Sequence, residues 1–323
     1  MVAAVRVHKT GGPEVLTYED IEIGAPGPGQ LRVKQHACGI NYIDTYIRTG
    51  MYPAPLPFVA GNEGAGEVTA VGEGVKDFKV GDRVAYVFTL GGYAAERLLP
   101  AERAVKLPAA ISYEQAAGMM LKGMTAQYLV RRVHRVEKGE TILVHAAAGG
   151  VGLILCQWGK YLGATVIGTV GSKDKAALAK ANGAHHTILY RDEDFVAKVK
   201  EITGGKLCAV VYDGVGKTTF PGSLDCIQPL GMFASFGSAS GPIEAFNINI
   251  LAQKGSLFAS RPTLNTYTAK REDLLATAND LFDVVGKGAV KIPINQRYPL
   301  KDAQKAHRDL ESRATTGSSI LLP

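Results

Sequence analysis

At 323 residues the chain is long enough for two ordinary domains and a large core. Apolar residues make up 46% and charged residues 20%, a soluble globular composition, and no apolar run reaches the length needed to span a bilayer. The net charge of +6 is spread thinly, with no block of five or more basic residues, so nucleic-acid binding is not expected, although part of the excess can serve an anionic ligand. The opening "MVAAVRVHKTGGPEVL" has neither a signal pattern nor a transit-peptide composition, so cytoplasmic residence is the expectation. The four cysteines stand far apart with no C-x-x-C pair, and Cys156, Cys208 and Cys226 lie in apolar stretches. A disulfide framework or cysteine-built zinc site is therefore not expected.

The first 120 residues alternate short β-rich segments ("AAVRVHK", "QLRVKQHAC", "AGEVTAVG", "DRVAYVF") with turn-forming stretches such as "GAPGPGQ" and "PAPLP". That spacing predicts an antiparallel, partly barrelled β domain. From about 123 to 258 the pattern changes to strands joined by helices. The predicted strands are 141–147, "ATVIGTV", "HHTILY", 207–213, 230–237 and 255–260. Predicted helices follow the first three, running to about Gly163, from Ser172 to Gly183 and over 192–203, and a helical stretch at 217–227 joins the fourth strand to the fifth. Continuous apolar strands joined by helices imply a doubly wound parallel sheet, expected order 3-2-1-4-5-6. The tail holds helices at 271–286 and 301–312, "KIPINQRYPL" and a last strand "SSILLP". With no core of its own available, it is expected to return to the first domain. The division is thus 1–122 with 259–323, around 123–258.

Between the first parallel strand and its helix stands "HAAAGGVG" (145–152). Ala147, Gly149, Gly150, Val151 and Gly152 fall in a variant G-x-G-x-x-G pattern that follows a strand and opens a helix, which is the context of a dinucleotide site. The helix N-terminus offers N–H groups to a pyrophosphate. Gly149 and Gly150 let the backbone approach it, and Gly152 allows tight helix–strand packing. An NAD site places an acid about 20 residues further on. Here that position holds Gly171, followed by Ser172 and Lys175, able to donate to and neutralise a 2′-phosphate. NADPH is the favoured cofactor. Ser172 also reads as an N-cap, and Lys175 as a surface lysine.

Together with "GGPEVL", "GINYIDTYIRTGMYP", "GNEGAGEV", "LKGMTAQYL", "TVGSKDK", "SFGSASG", "KGSLFASRPTL" and "LESRATTGSSIL", these motifs resemble the NADPH:quinone oxidoreductases. These are the zeta-crystallin-like branch of the medium-chain dehydrogenase/reductase superfamily, and the likeness covers essentially the full length. It implies an α/β fold in which a GroES-like, mostly-β catalytic domain is split around a Rossmann domain, and a homodimer. Zinc-dependent relatives carry a Cys after the Gly-Ile of "CGI" and a His in Gly-His-Glu; here those positions hold Asn41 and Asn62. An amide does not replace a thiolate or imidazole as a tight Zn²⁺ ligand, so no metal is expected.

Without zinc, an already electrophilic acceptor is implied: a quinone, or alternatively a conjugated enal or enone. A nucleic-acid-binding protein and a zinc alcohol dehydrogenase are the remaining alternatives. The resemblance carries the substrate pocket onto Asn41, Tyr46 and Tyr52, with water supplying the proton. Asn41 is also a contact for the nicotinamide ribose. Thr125, read as a helix-start residue, is placed on the nicotinamide side and Tyr190 near the adenine-side ribose. Phe236, Gly237 and Ser238 lie at the carboxyl end of the fifth strand, and Arg261 and Arg313 match family cofactor contacts.

Overall fold

A computed structural model describes residues 1–323 and divides them into two compact units, each described by itself. One comprises Met1–Met124, Thr268–Gly286 and Ile292–Pro323; the other comprises Thr125–Tyr267 and Lys287–Lys291.

The chain begins with β1 (Val2–Val7), β2 (Leu16–Ile21), β3 (Gln30–Ile40), α1 (Tyr42–Arg48), β4 (Phe58–Val59), β5 (Glu63–Val71), β6 (Arg83–Val87), β7 (Glu96–Pro100), β8 (Ala104–Lys106) and α2 (Tyr113–Tyr128). Strands β2, β1 and β4 pair as a small antiparallel sheet. The rest join a seven-stranded sheet in which β3 is central, bonded to β5 and β7. Alternation sets the core here: Leu31 and Val33 of β3 point inward with Val68, Val84, Tyr86 and Leu99. "GMMLKGMTAQY" is apolar on nearly every face, so it carries no visible helical period; it is the interior of α2, and Thr125 therefore lies within a helix rather than at its start.

The second unit continues with β9 (Thr141–Val144), α3 (Gly150–Tyr161), β10 (Thr165–Val170), α4 (Lys173–Ala181), β11 (His186–Leu189), α5 (Phe195–Thr203), β12 (Cys208–Asp213), α6 (Phe220–Asp225), β13 (Ile227–Ser235), α7 (Asn249–Gln253), β14 (Phe258–Ser260) and α8 (Leu264–Tyr267). The strands pair in parallel in the order β11-β10-β9-β12-β13-β14, which is the expected 3-2-1-4-5-6. Leu143, Ile167, Ile188, Val211 and Phe233 line one face of the core. Helix α5 starts three residues later than the sequence pattern suggests, because Asp194 accepts from Val196 N and Ala197 N and fixes the N-cap there.

After α9 (Arg271–Gly286) the tail forms β15 (Ile294–Pro299), α10 (Ala303–Glu311) and β16 (Ser318–Leu322). Strand β16 pairs antiparallel with β3, which joins it to the first sheet. Helix α10 adds Ala303 and Ala306 to a core with Val5, Ile40, Phe58 and Tyr93. All four cysteines are buried and unpaired.

Candidate active site

The carboxyl edge of the parallel sheet gathers most of the residues expected to meet the nucleotide. Beyond β9 the backbone turns sharply, with Ala146 in the left-handed region (φ 52°), a conformation uncommon for a residue with a Cβ. Gly149 is the N-cap of α3, and the first intrahelical bond runs from Leu153 N to Gly149 O at 2.9 Å. The N–H groups of Gly150, Val151 and Gly152 therefore open the helix ahead of any acceptor in its own ladder. A Cβ on Gly152 would lie 2.3 Å from Ala146 O and 2.8 Å from Ala147 Cα, so this glycine is required by helix–turn packing. A Cβ on Gly149 would meet only Ala146 O, at 3.2 Å, which leaves a bare approach to the backbone. That cradle fits a pyrophosphate.

At the end of β10, Ser172 caps α4 by accepting from Lys175 N at 3.3 Å. A Cβ on Gly171 would sit 2.8 Å from Tyr190 Oη, so Tyr190, just past β11, leans over the glycine. Gly171, Ser172, Lys175 and Tyr190 thus form one cluster, with no acid at the strand end. Phe236, Gly237 and Ser238 follow β13. Phe236 N donates to Asp213 O at 2.8 Å, and a Cβ on Gly237 would meet Gly214 O at 2.6 Å. Thr125 is buried in α2, three residues before Tyr128, whose hydroxyl pKa burial pushes up while the Arg261 charge opposes that shift. Arg261 itself is exposed.

Behind this edge runs a buried polar chain that the sequence reading missed. Asp213 ends β12 fully buried. Its Oδ1 accepts from Val215 N and Gly216 N at 2.7 and 3.0 Å, and its Oδ2 from Thr219 Oγ1 and Ser223 Oγ at 2.7 and 3.0 Å. His145 lies 2.9 Å from Thr169 Oγ1 and 3.0 Å from Ser223 Oγ, with burial pushing its pKa down. With Ser223 donating to the carboxylate, neutral His145 donates from Nε2 to Ser223 and accepts at Nδ1 from Thr169. The chain thereby fastens the ends of β10, β9 and β12 to one another. A lone polar residue ending each apolar strand was the available signal.

The other unit holds the residues carried over for the substrate. Tyr46, in α1, and Tyr52 meet edge to face at 5.4 Å, and Tyr52 N donates to Tyr46 O. Arg313 lies beyond α10, exposed and in left-handed backbone (φ 61°). Asn41 is buried at the head of α1. Its Nδ2 donates to Glu63 Oε2 at 2.7 Å, while Asn62 Nδ2 donates to Asp44 Oδ1 at 2.9 Å. Asp44 Oδ2 also accepts from Asn41 N and Tyr93 Oη, each at 2.9 Å. Both carboxylates are buried, and burial pushes their pKa values up.

Each amide that replaces a zinc ligand is thus a hydrogen-bond donor held by a carboxylate. An amide offers Zn²⁺ only a weakly ligating carbonyl oxygen in place of a thiolate or imidazole, and no group of three or more His, Cys, Asp or Glu side chains is gathered to hold a metal ion. Lys122 stands beside the same carboxylate, with Nζ 3.6 Å from Glu63 Oε2 and donating to Ile40 O at 3.0 Å. Neither Glu63 nor Lys122 was foreseen. A single charge inside an apolar stretch, as in "MMLKGM", was the signal that pointed to a buried pair.

Two family models match the chain. One describes an alcohol dehydrogenase GroES-like domain, over residues 27–141, and the other a zinc-binding dehydrogenase, over residues 150–276. A quinone oxidoreductase of Pseudomonas aeruginosa is 53% identical over the whole of both chains. A 2-haloacrylate reductase of a Burkholderia species is 46% identical over all of this chain and 99% of its own. The crystal structure of Escherichia coli quinone oxidoreductase complexed with NADPH superposes with a TM-score of 0.97. It is 51% identical and covers 99% of this chain and 100% of that one. With these likenesses running over the whole chain, it belongs to the quinone oxidoreductases of the medium-chain dehydrogenase/reductase superfamily.

Proposed function

We propose that the protein is an NADPH-dependent, metal-independent reductase of quinones. Bound NADPH supplies the hydride. The N–H groups opening α3 hold the pyrophosphate, and Ser172 and Lys175 receive the 2′-phosphate beside Gly171, where no acid repels it. Tyr190, Phe236, Gly237, Ser238, Thr125, Arg261 and Arg313 complete the cofactor contacts. Tyr46 and Tyr52 present flat faces and hydroxyls to an aromatic acceptor, and Asn41 keeps its second amide N–H for an acceptor or ribose oxygen. Water supplies the proton.

The observation that carries this reading is the pairing of Asn41 with Glu63 and of Asn62 with Asp44. A site whose former metal ligands are tied to carboxylates has no Lewis acid to offer an unactivated aldehyde. It suits acceptors that delocalise the incoming charge. A second reading, reduction of a C=C conjugated to a carbonyl, is favoured by the likeness to a 2-haloacrylate reductase. Comparing kcat/KM for a set of quinones and 2-alkenals with NADPH tests the choice. Quinones are expected to turn over faster, and faster alkenal turnover overturns that order.

We also propose a homodimer in the cytoplasm. The edge strand β14 exposes Phe258, with Leu230 and Ile248 exposed in the same unit, an apolar set that a second copy would cover. Four unpaired cysteines fit a reducing compartment, and no helix is long and apolar enough to cross a membrane.

A further inference from the structure

Lys122 occupies a costly position for a cation. It arises from the interior of α2 between Leu121 and Gly123, and only 7% of it is exposed. An ammonium carries three N–H donors and no acceptor. One donor goes to Ile40 O at 3.0 Å. The neighbouring anion, Glu63 Oε2, is 3.6 Å away, beyond hydrogen-bond reach, and already accepts from Asn41 Nδ2 at 2.7 Å. Glu63 Oε1 is taken by Leu121 N at 2.7 Å. Two donors of a buried cation are therefore left without a protein acceptor, next to Asn41. Buried donors are normally satisfied, and exceptions call for a functional cause.

We propose that Lys122 is the fixed cation of the reduction site, its two open N–H donors binding the oxygen on which negative charge develops as the acceptor is reduced. This rests on the reductase reading above. The step balances without any change in Lys122. The C–H bond of the reduced nicotinamide breaks, and its hydrogen and electron pair pass to the acceptor. The acceptor becomes an oxyanion, and one proton from water makes the neutral product. Lys122 lowers the energy of the oxyanion because its charge is buried and held in place by Ile40 O before the acceptor arrives, and a preorganised charge costs no reorganisation at the moment of reaction. Glu63 holds the cation's charge in balance before the acceptor arrives.

The test uses a series of substituted 1,4-benzoquinones of graded electron affinity, with NADPH binding measured separately by fluorescence. Lys122→Met alone strands the Glu63 carboxylate and risks misfolding, so Lys122→Met combined with Glu63→Gln removes both charges together. The double variant is expected to bind NADPH within about twofold of wild type. It should lose about 100- to 1,000-fold in kcat, and the loss should grow as the quinone becomes less electron-poor and its anion more basic. Lys122→Arg should recover part of the rate. An unchanged kcat, a loss independent of the quinone, or a loss that falls wholly on NADPH affinity overturns the proposal. Wild-type protein inert towards every quinone would instead overturn the reductase reading, and this inference with it.

Discussion

Gly171 occupies the strand-end position from which an acid would take the ribose hydroxyls of NAD, and Ser172 and Lys175 follow it at the head of α4. In the structure the Ser172 hydroxyl already accepts from Lys175 N, so its oxygen caps the helix while its proton is free to be donated to a phosphate. Lys175→Ala removes the countercharge and leaves the cap, because the cap uses only the backbone N–H. The expected result is a rise in KM for NADPH of about tenfold, equivalent to about 1.4 kcal/mol, with kcat and the KM for NADH little changed. Steady-state kinetics with both nucleotides checks it. This cluster was legible because a missing acid is visible in one dimension. Lys122 and Glu63 were not, since a charge in an apolar stretch announces a partner without naming it, and Glu63 lies 58 residues from the Leu121 N–H that it accepts from.

At the level of elements, α1 and α10 are joined by a buried polar chain. Arg48, in α1, donates from NH2 to Glu311 at 2.7 Å and from NH1 to His307 Nδ1, in α10, at 2.9 Å. Arginine has no acceptor, so His307 carries its proton on Nε2 and donates it to Tyr93 Oη at 3.1 Å, while Tyr93 donates to Asp44. Burial, and then the Arg48 charge, push the His307 pKa down from 6.5 to about 3. The folded state therefore resists protonation that the unfolded chain accepts. The stability this contributes is complete above pH 6.5 and is lost as pH falls towards 3, with an upper bound on the order of 5 kcal/mol. The buried acids Asp44 and Glu63, raised by burial, act in the opposite sense and soften the loss. Denaturant unfolding between pH 7 and 4 should show a wild-type profile that falls more steeply than that of His307→Gln, the difference in slope approaching one proton. Parallel profiles would contradict this assignment. None of this network was readable from the sequence, because it joins residues 259 apart. The alternation of strands and helices was readable, because hydrophobic period and cap residues are local. Helix α2 escaped on the same logic: apolar all round, it has no period to read.

For the whole molecule, the strand order and the glycine turn follow from features written in the chain, and the expectation of no metal from the amides at Asn41 and Asn62. The reason is physical: a parallel sheet demands apolar strands, close backbone approach demands glycine, and a metal demands thiolate or imidazole. What lies beyond the motifs is how buried charges are balanced, at His145 and Asp213 in one unit and at Glu63 and Lys122 in the other. NADPH-driven quinone reduction with no metal in the site is tested most directly by kcat/KM for one quinone with NADPH and with NADH, using protein first dialysed against a strong zinc chelator and then supplied with Zn²⁺. Full activity after chelation, no gain from zinc, and a clear preference for NADPH are expected. Activity abolished by the chelator and restored by zinc, or equal use of the two nucleotides, would contradict it.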